Sequence, residues 1–462
     1  MQIDRRGFLR SAAAAVCAPL AAAPTRPPNI VLIYCDDLGY GDFGCYGSKI
    51  RTPNIDRMAS EGVRFTNFYS ANPVCSPSRA ALLTGRYPTR VGVPHVLFPN
   101  DKTGLPDSET TIAQMLKPKG YKTMCVGKWH LGHLPEFLPT SRGFDEYYGI
   151  PHSNDMNPRV LLHATPAGVE TVEETATLET LTPRYTEQAV RFIERSKDSP
   201  FFLYLPHTYP HIPLGASPRF RGKSPLGLYG DVIEELDWSV GEVLACIKRN
   251  GLDGNTLVML SSDNGPWYQG SPGRLRGRKG MTYEGGVRVP FIARFPGRIP
   301  KGITCTGVAA TLDVLPTIAQ LTGAPLPRNP LDGIDIWPLL TGQRQAIERE
   351  ALLYFDGWNL QCARWGKWKL HVARYNSMAY NPAPAGGRVN LPLTSPELYD
   401  LENDPDESYD VAPENPAIVA EIRGRIERLI PSFPEPVRKA WAATMARQTQ
   451  PAAVGALPRP AN

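Results

Sequence analysis

Short apolar runs closed by polar clusters recur along the chain. Residues 29–34 are apolar after the first position, the pattern of a strand buried on both faces, and they run into Cys35-Asp36-Asp37-Leu38-Gly39. Residues 121–127 deliver Lys128-Trp129-His130, residues 201–205 lead into His207-Thr208-Tyr209-Pro210-His211, and residues 256–261 end in Ser262-Asp263-Asn264-Gly265. Residues 54–62, 110–119, 183–197 and 228–250 read as helices, the last one long and amphipathic. Residues 63–69 read as extended, 287–296 and 302–311 as further strands, and 313–321 as a helix closed by Gly323. Strand, polar terminus and helix in repetition predict an α/β fold: a large, mostly parallel central sheet flanked by helices, with one site along its carboxyl edge.

Two stretches break this rhythm. Residues 152–183 carry few periodic signals and read as a surface excursion of the kind that forms substrate loops. Beyond the Pro-rich residues 323–330 the runs shorten to 352–355, 361–364, 368–372 and 397–401, with tight turns between them. These predict a smaller antiparallel sheet, followed by the acidic turn Asn403-Asp404-Pro405-Asp406-Glu407, a helix over 416–429 and a flexible Pro/Ala-rich tail from about Gln448.

Composition adds little until the N-terminus is considered. With 50 basic and 45 acidic residues in 462, the net charge of +5 gives no general reason to expect nucleic acid. Asp4-Arg5-Arg6-Gly7-Phe8-Leu9-Arg10 and the apolar residues 12–23 look like a twin-arginine export signal cleaved after Ala23. The run is short for a bilayer, so no stable membrane insertion is expected. Export by the twin-arginine machinery would place the protein in the periplasm or outside the cell. That route carries folded chains, so Cys35, Cys45, Cys125, Cys246, Cys305 and Cys362 are expected as mostly buried free thiols; Cys17 leaves with the signal.

Cys75-Ser76-Pro77-Ser78-Arg79-Ala80-Ala81-Leu82-Leu83-Thr84-Gly85-Arg86 reads as a helix with a reactive first turn. Pro77 suits an early helical position, residues 80–83 favour helix, and Gly85 ends it. Cys75 would sit in the positive field of the helix start with Arg79 one turn on, a place that favours an anion. An isolated Cys-x-x-x-Arg is more often a buried thiol and a surface charge. The full twelve-residue string, however, resembles the signature of the type I, formylglycine-dependent sulfatases of the arylsulfatase A kind. There a formylglycine-generating enzyme oxidises the cysteine of Cys-x-Pro-x-Arg. The resemblance runs from about Asn29 to Leu401, and with the export signal the chain looks like an exported bacterial member. It implies the alkaline-phosphatase-like fold; the change of pattern after the Pro-rich stretch sets the expected bounds, a catalytic domain at 24–344, a small α+β domain at 345–435 and a C-terminal extension at 436–462.

The resemblance also implies roles. Cys75, as the hydrate of formylglycine, attacks sulfur, and its second hydroxyl lets the sulfated intermediate collapse. Asp36, Asp37, Asp263 and Asn264 form an all-oxygen set that, with the modified Cys75, holds Ca2+; Mg2+ is the alternative, and zinc is disfavoured by the donors. Taken singly, Asp-Asp after a strand is a common turn or cap. Lys128 matches a binder of sulfate oxygens, and His130 the group that takes the hydroxyl proton; two apart in an extended stretch, they face one side. His211, in Pro-His-x-Pro, matches the histidine on the leaving-group side, and Lys279 the lysine bridging sulfate and leaving oxygen, either being the general acid. Arg79 would steady the hydrate, Asp263 could also accept a proton, and Ser153 would lie near the sulfate. Trp267 and Tyr268 either stack on a sugar or belong to the core. The expected substrate is a sulfated small molecule or glycan. The rivals are a phosphonate or phosphodiester hydrolase of the same superfamily and a non-catalytic glycan-binding relative.

Overall fold

In the computed structural model, residues 26–375 and 390–448 are described; the expected export signal and the tail expected beyond Gln448 lie outside them. The strands are β1 (Asn29–Cys35), β2 (Val63–Phe65), β3 (Phe68–Tyr69), β4 (Lys122–Val126), β5 (Glu146–Gly149), β6 (Leu161–Thr165), β7 (Gly168–Glu173) and β8 (Phe201–Pro206). They continue as β9 (Thr256–Ser262), β10 (Phe291–Arg294), β11 (Ile303–Cys305), β12 (Ala309–Ala310), β13 (Leu352–Asp356), β14 (Asn359–Trp365), β15 (Trp368–Tyr375) and β16 (Asn390–Asp400). Ten of them form one sheet in the order β11-β2-β10-β9-β1-β8-β4-β5-β6-β7. Its centre, β9-β1-β8-β4-β5, is parallel throughout, with antiparallel partners outside it.

β1 explains why the sheet is covered on both sides. All seven of its residues are buried, and their side chains alternate between two cores. Ile30, Leu32 and Tyr34 join a core with the helices Cys75–Thr84 and Val314–Thr322. Val31, Ile33 and Cys35 join another with Leu181–Ser196 and Gly227–Arg249. A strand buried on both faces has no polar positions to spare, so its polar residues collect at its end.

Residues 152–183 are less irregular than expected. β6 and β7 form a hairpin that extends the sheet at its edge. β7 is Gly-Val-Glu-Thr-Val-Glu, exposed over five of six positions, so it lacks the alternation that marks a half-buried strand. The 63–69 segment splits: β2 stays in the large sheet, whereas β3 pairs with β12 in a separate two-stranded sheet. The 287–296 run begins inside a helical turn, Glu284–Val287, and only Phe291–Arg294 is strand.

β13 to β16 form the smaller antiparallel sheet. Besides the helix Pro416–Leu429, a helix that the pattern did not mark, Glu435–Gln448, packs on it through Val437 and Trp441. One core joins this sheet to the larger body, with Leu353 and Phe355 against Ala81 and Tyr87. The seven described cysteines are free, six of them buried and Cys45 half-buried. Among the described residues no helix is long and apolar enough to cross a membrane.

Candidate active site

The parallel centre of the sheet delivers its polar termini to one place. Asp36 and Asp37 follow β1, Lys128 and His130 follow β4, Ser153 follows β5, His211 follows β8, and Asp263 and Asn264 follow β9. Cys75 is the first residue of a helix buried over all ten residues, and Lys279 comes from the loop before Glu284–Val287. Every one of these side chains is at least nine-tenths buried. Cys75, Asp37, His130, Ser153, His211 and Lys279 share the wall of a cavity of about 210 Å³.

Asp36, Asp37, Cys75 and His211 each offer an atom within 4.8 Å of the others, close enough for one metal ion. His211 was expected on the leaving-group side, and here it also borders the metal cluster. Asp263 and Asn264 adjoin it: the Asp37 N–H donates to Asp263 Oδ1 (3.1 Å), and Asn264 Nδ2 donates to Asp37 Oδ1 (2.7 Å). Asn264 Oδ1 is buried without a hydrogen-bond partner. Such an acceptor is costly unless a cation meets it, so the donor set fits a hard divalent ion.

Arg79 is the pivot of this network. Its Nε and Nη2 donate to Asp263 Oδ2 (3.1 and 2.8 Å), Nη1 donates to the Lys128 carbonyl (2.9 Å), and Nη2 lies 3.6 Å from Asp36 Oδ1. Lys128 Nζ donates to Asp36 Oδ2 and to Ser153 Oγ, the latter at 2.9 Å. Lys279 Nζ donates to Asp37 Oδ2 at 2.9 Å, and His211 Nε2 stands 3.6 Å from the same oxygen. Three carboxylates thus face three basic side chains. A divalent ion added to this set leaves positive charge over, which suits an anionic ester.

Burial raises the charge cost throughout. It pushes Asp263 up to about 7, helped by the neighbouring Asp36 carboxylate. It opposes ionisation of Asp36 too, but Lys128, then His211 and Arg79, outweigh it and hold that carboxyl well below the usual range. The two acids compete for one positive field, and Asp36 ionises first. Burial also pushes the Cys75 thiol up, against Lys128 and Lys279. The expected anion-favouring helix start therefore does not make a thiolate: unmodified, Cys75 is a buried neutral thiol, 3.6 Å from Asp36 Oδ1.

His130 is held neutral, its pKa well below 6.5, by burial first and then by Lys128 and Arg79. Its Nε2 lies 2.9 Å from the Leu97 carbonyl, which only accepts, so Nε2 carries the proton. Nδ1 is then a bare, buried base without a partner.

Residues 28–324 match the family described as sulfatase, and residues 347–453 match the C-terminal region of aryl-sulfatase. The chain belongs to the sulfatase family. It is 41% identical to human arylsulfatase A over 444 residues, covering 88% of this chain and 87% of that one. The crystal structure of PsFucS1 sulfatase from Pseudoalteromonas sp. superposes with a TM-score of 0.80 at 29% identity, over 92% of each chain. That of Ps i-CgsB in complex with k-i-k-neocarrahexaose does so with a TM-score of 0.75 at 31% identity, over 91% of this chain and 98% of that one. The protein is therefore a sulfatase-type hydrolase with a metal-binding site built around Asp36, Asp37, Cys75 and His211.

In this sulfatase the motif residues all converge, while the pocket rim was only partly legible. Val96, Phe98, Asp155, Met156 and Ile212 complete the cavity, and Trp267 joins its wall, with Tyr268 exposed beside it. Of these, Trp267 and Tyr268 carried a signal as aromatics directly after Asp263 and Asn264, and Asp155 and Met156 fall in the 152–183 stretch read as the kind that forms substrate loops; Val96 and Phe98 carried none. His207 is buried against Ser239, and His133 packs on His152. Arg276 and Arg278 donate to backbone carbonyls and brace the loop.

Proposed function

We propose that this protein removes sulfate from a carbohydrate, using formylglycine made from Cys75 and a bound Ca2+, after export by the twin-arginine route to the periplasm or beyond. The observation that carries the reading is the meeting of Cys75, Asp37, His130, His211 and Lys279 at the wall of one cavity, with Asp36, Lys128, Asp263 and Arg79 buried and bonded to one another beside it. Bound there, the cation supplies positive charge for the sulfuryl oxygens, and the oxidised Cys75, as its hydrate, supplies the oxygen nucleophile. Mg2+ fits the same donors less well, because it demands stricter geometry.

The side chains divide the remaining work. Lys128 and Lys279 hold sulfate oxygens, with Ser153 fixing the Lys128 ammonium. Arg79 orients Asp263, which accepts a proton from the attacking hydroxyl. His130 Nδ1 takes the proton that must leave residue 75 when sulfate departs. Protonation of the leaving oxygen falls to Lys279 or His211, and both reach Asp37 Oδ2 from the cavity side. Burial, then Lys279, lowers the pKa of His211 below that of an ordinary imidazole, which favours Lys279 as the acid.

Support for a carbohydrate comes from Trp267 at the cavity wall and from the relative crystallised with a neocarrahexaose. The export reading rests on Arg5-Arg6-Gly7-Phe8-Leu9 and the apolar run after it. We assign catalysis to residues 24–344 and a smaller unit to 345–435, on which part of the 436–462 extension packs. The test is turnover of nitrophenyl sulfate against nitrophenyl phosphates and phosphonates, then of defined sulfated sugars. Sulfate release from a sugar, lost in Cys75→Ala, is expected; dominant phosphoryl or phosphonyl turnover would contradict it.

A further inference from the structure

Lys279 sits on a loop whose two ends are held by one residue of the C-terminal unit. At the first end, Arg276 Nη1 donates to the backbone carbonyl of Glu407 (2.7 Å). At the second, the Glu284 N–H, opening the helical turn after the loop, donates to Glu407 Oε2 (2.6 Å). Glu407 Oε1 in turn meets Lys369 Nζ (3.1 Å) and His371 Nε2 (2.7 Å) on β15. Lys369 also pairs with Glu284 Oε1 (3.0 Å), and Glu284 Oε2 accepts from Tyr69 (2.6 Å). Glu284, Lys369 and Glu407 are wholly buried.

Glu407 itself adopts a left-handed backbone, φ +52°, which a glutamate holds only when its surroundings fix it. Between the two anchors the loop is tied to the catalytic body: the Lys279 N–H donates to Pro266, and the Gly280 N–H to Pro73, two residues before Cys75. Burial opposes ionisation of Glu407, but Lys369 and His371 outweigh it and bring its pKa down to about 2.

We propose that Glu407 is a positioning residue for the reaction: it fixes the loop 276–284 so that the Lys279 ammonium stays on Asp37 and at the leaving oxygen. The inference rests on the role assigned above to Lys279. A lysine head rides on a flexible four-carbon stem, so its placement depends on how firmly its backbone is held. A misplacement of about 1 Å at such a group costs on the order of 100-fold in rate. The C-terminal sheet is then part of the catalytic apparatus through this one carboxylate.

The experiment measures kcat/KM per formylglycine for a series of aryl sulfates with graded leaving groups. It compares the intact enzyme with Lys279→Ala, Glu407→Gln, Arg276→Gln and the Lys279→Ala/Glu407→Gln double variant. Lys279→Ala is expected to lose about 100-fold or more with poor leaving groups and much less with good ones. Glu407→Gln and Arg276→Gln are expected to steepen the leaving-group dependence in the same sense, by about 10-fold across the series. In the double variant, Glu407→Gln is expected to add little to the Lys279→Ala loss, because the two act as a unit. Arg276 is exposed, so Arg276→Gln keeps the test open if Glu407→Gln does not fold. Equal losses on every aryl sulfate, or fully additive losses in the double variant, would overturn the inference. If Lys279→Ala is itself insensitive to the leaving group, the role of Lys279 fails and takes this inference with it. A sensitive Lys279→Ala beside insensitive Glu407→Gln and Arg276→Gln refutes the positioning role alone.

Discussion

At His130 a backbone carbonyl decides the chemistry. Because the Leu97 oxygen claims the proton on Nε2, Nδ1 is the nitrogen left to serve as the proposed base, and burial keeps it unprotonated at pH values where an ordinary imidazole is charged. A lowered pKa means that the base form persists as pH falls, so any acid limb in kcat that belongs to His130 lies well below 6.5. A pH–rate profile checks this; a limb at or above 6.5 that vanishes in His130→Asn would contradict it. Loss of the base should cost about 10² to 10⁴ in kcat. That Cys75, Asp36 and Asp263 meet at one site was legible because each sits in a short local string. Val96, Leu97 and Phe98 were not legible, because they meet the site only through folding and stand in a segment without a pattern, whereas Asp155 and Met156 belong to the 152–183 stretch read as loop-forming.

The elements matter chiefly through where they stop. Four neighbouring parallel strands, β9, β1, β8 and β4, end beside each other, and that recurrence was visible as apolar runs closed by polar clusters. The exit from β4 leaves no room for a side chain. Gly127 has φ +129°, and a Cβ there would stand 1.9 Å from the Pro206 carbonyl oxygen. Gly127→Ala must therefore shift the strand end that carries Lys128 and His130. We expect a loss of about 1–3 kcal/mol from the backbone conformation alone. An activity loss on the order of 100-fold should accompany it. Chemical denaturation and kcat/KM measure the two effects. The edge strand β7 escaped notice for the opposite reason: exposed over nearly all its length, it needs no apolar alternation, so nothing in its pattern announces it.

On the scale of the whole molecule, two buried charge systems hold the parts together. A cation held around Asp36, Asp37, Cys75 and His211 would bind the folded chain and not the unfolded one. At about 100 times its dissociation constant it adds roughly 2.7 kcal/mol. Chelation should lower the melting temperature and abolish turnover, with Ca2+ restoring both; thermal scans with EDTA and added ions test this. Between the two sheets, Lys369 joins Glu284 to Glu407, and Lys369→Met would leave two buried carboxylates short of their cation. The expected destabilisation is about 3–5 kcal/mol by denaturant unfolding. The C-terminal sheet was readable as short strands with turns, yet its coupling to Lys279 was not, since Glu407 lies in what reads as an ordinary acidic turn.

Cys75 is proposed to work only after oxidation, in keeping with a buried thiol whose pKa burial pushes up. The most direct test is mass spectrometry of the peptide containing residue 75, taken from enzyme whose sulfate release has been measured. Formylglycine is expected to replace cysteine there in proportion to activity. Full activity with an unmodified Cys75 thiol would contradict it.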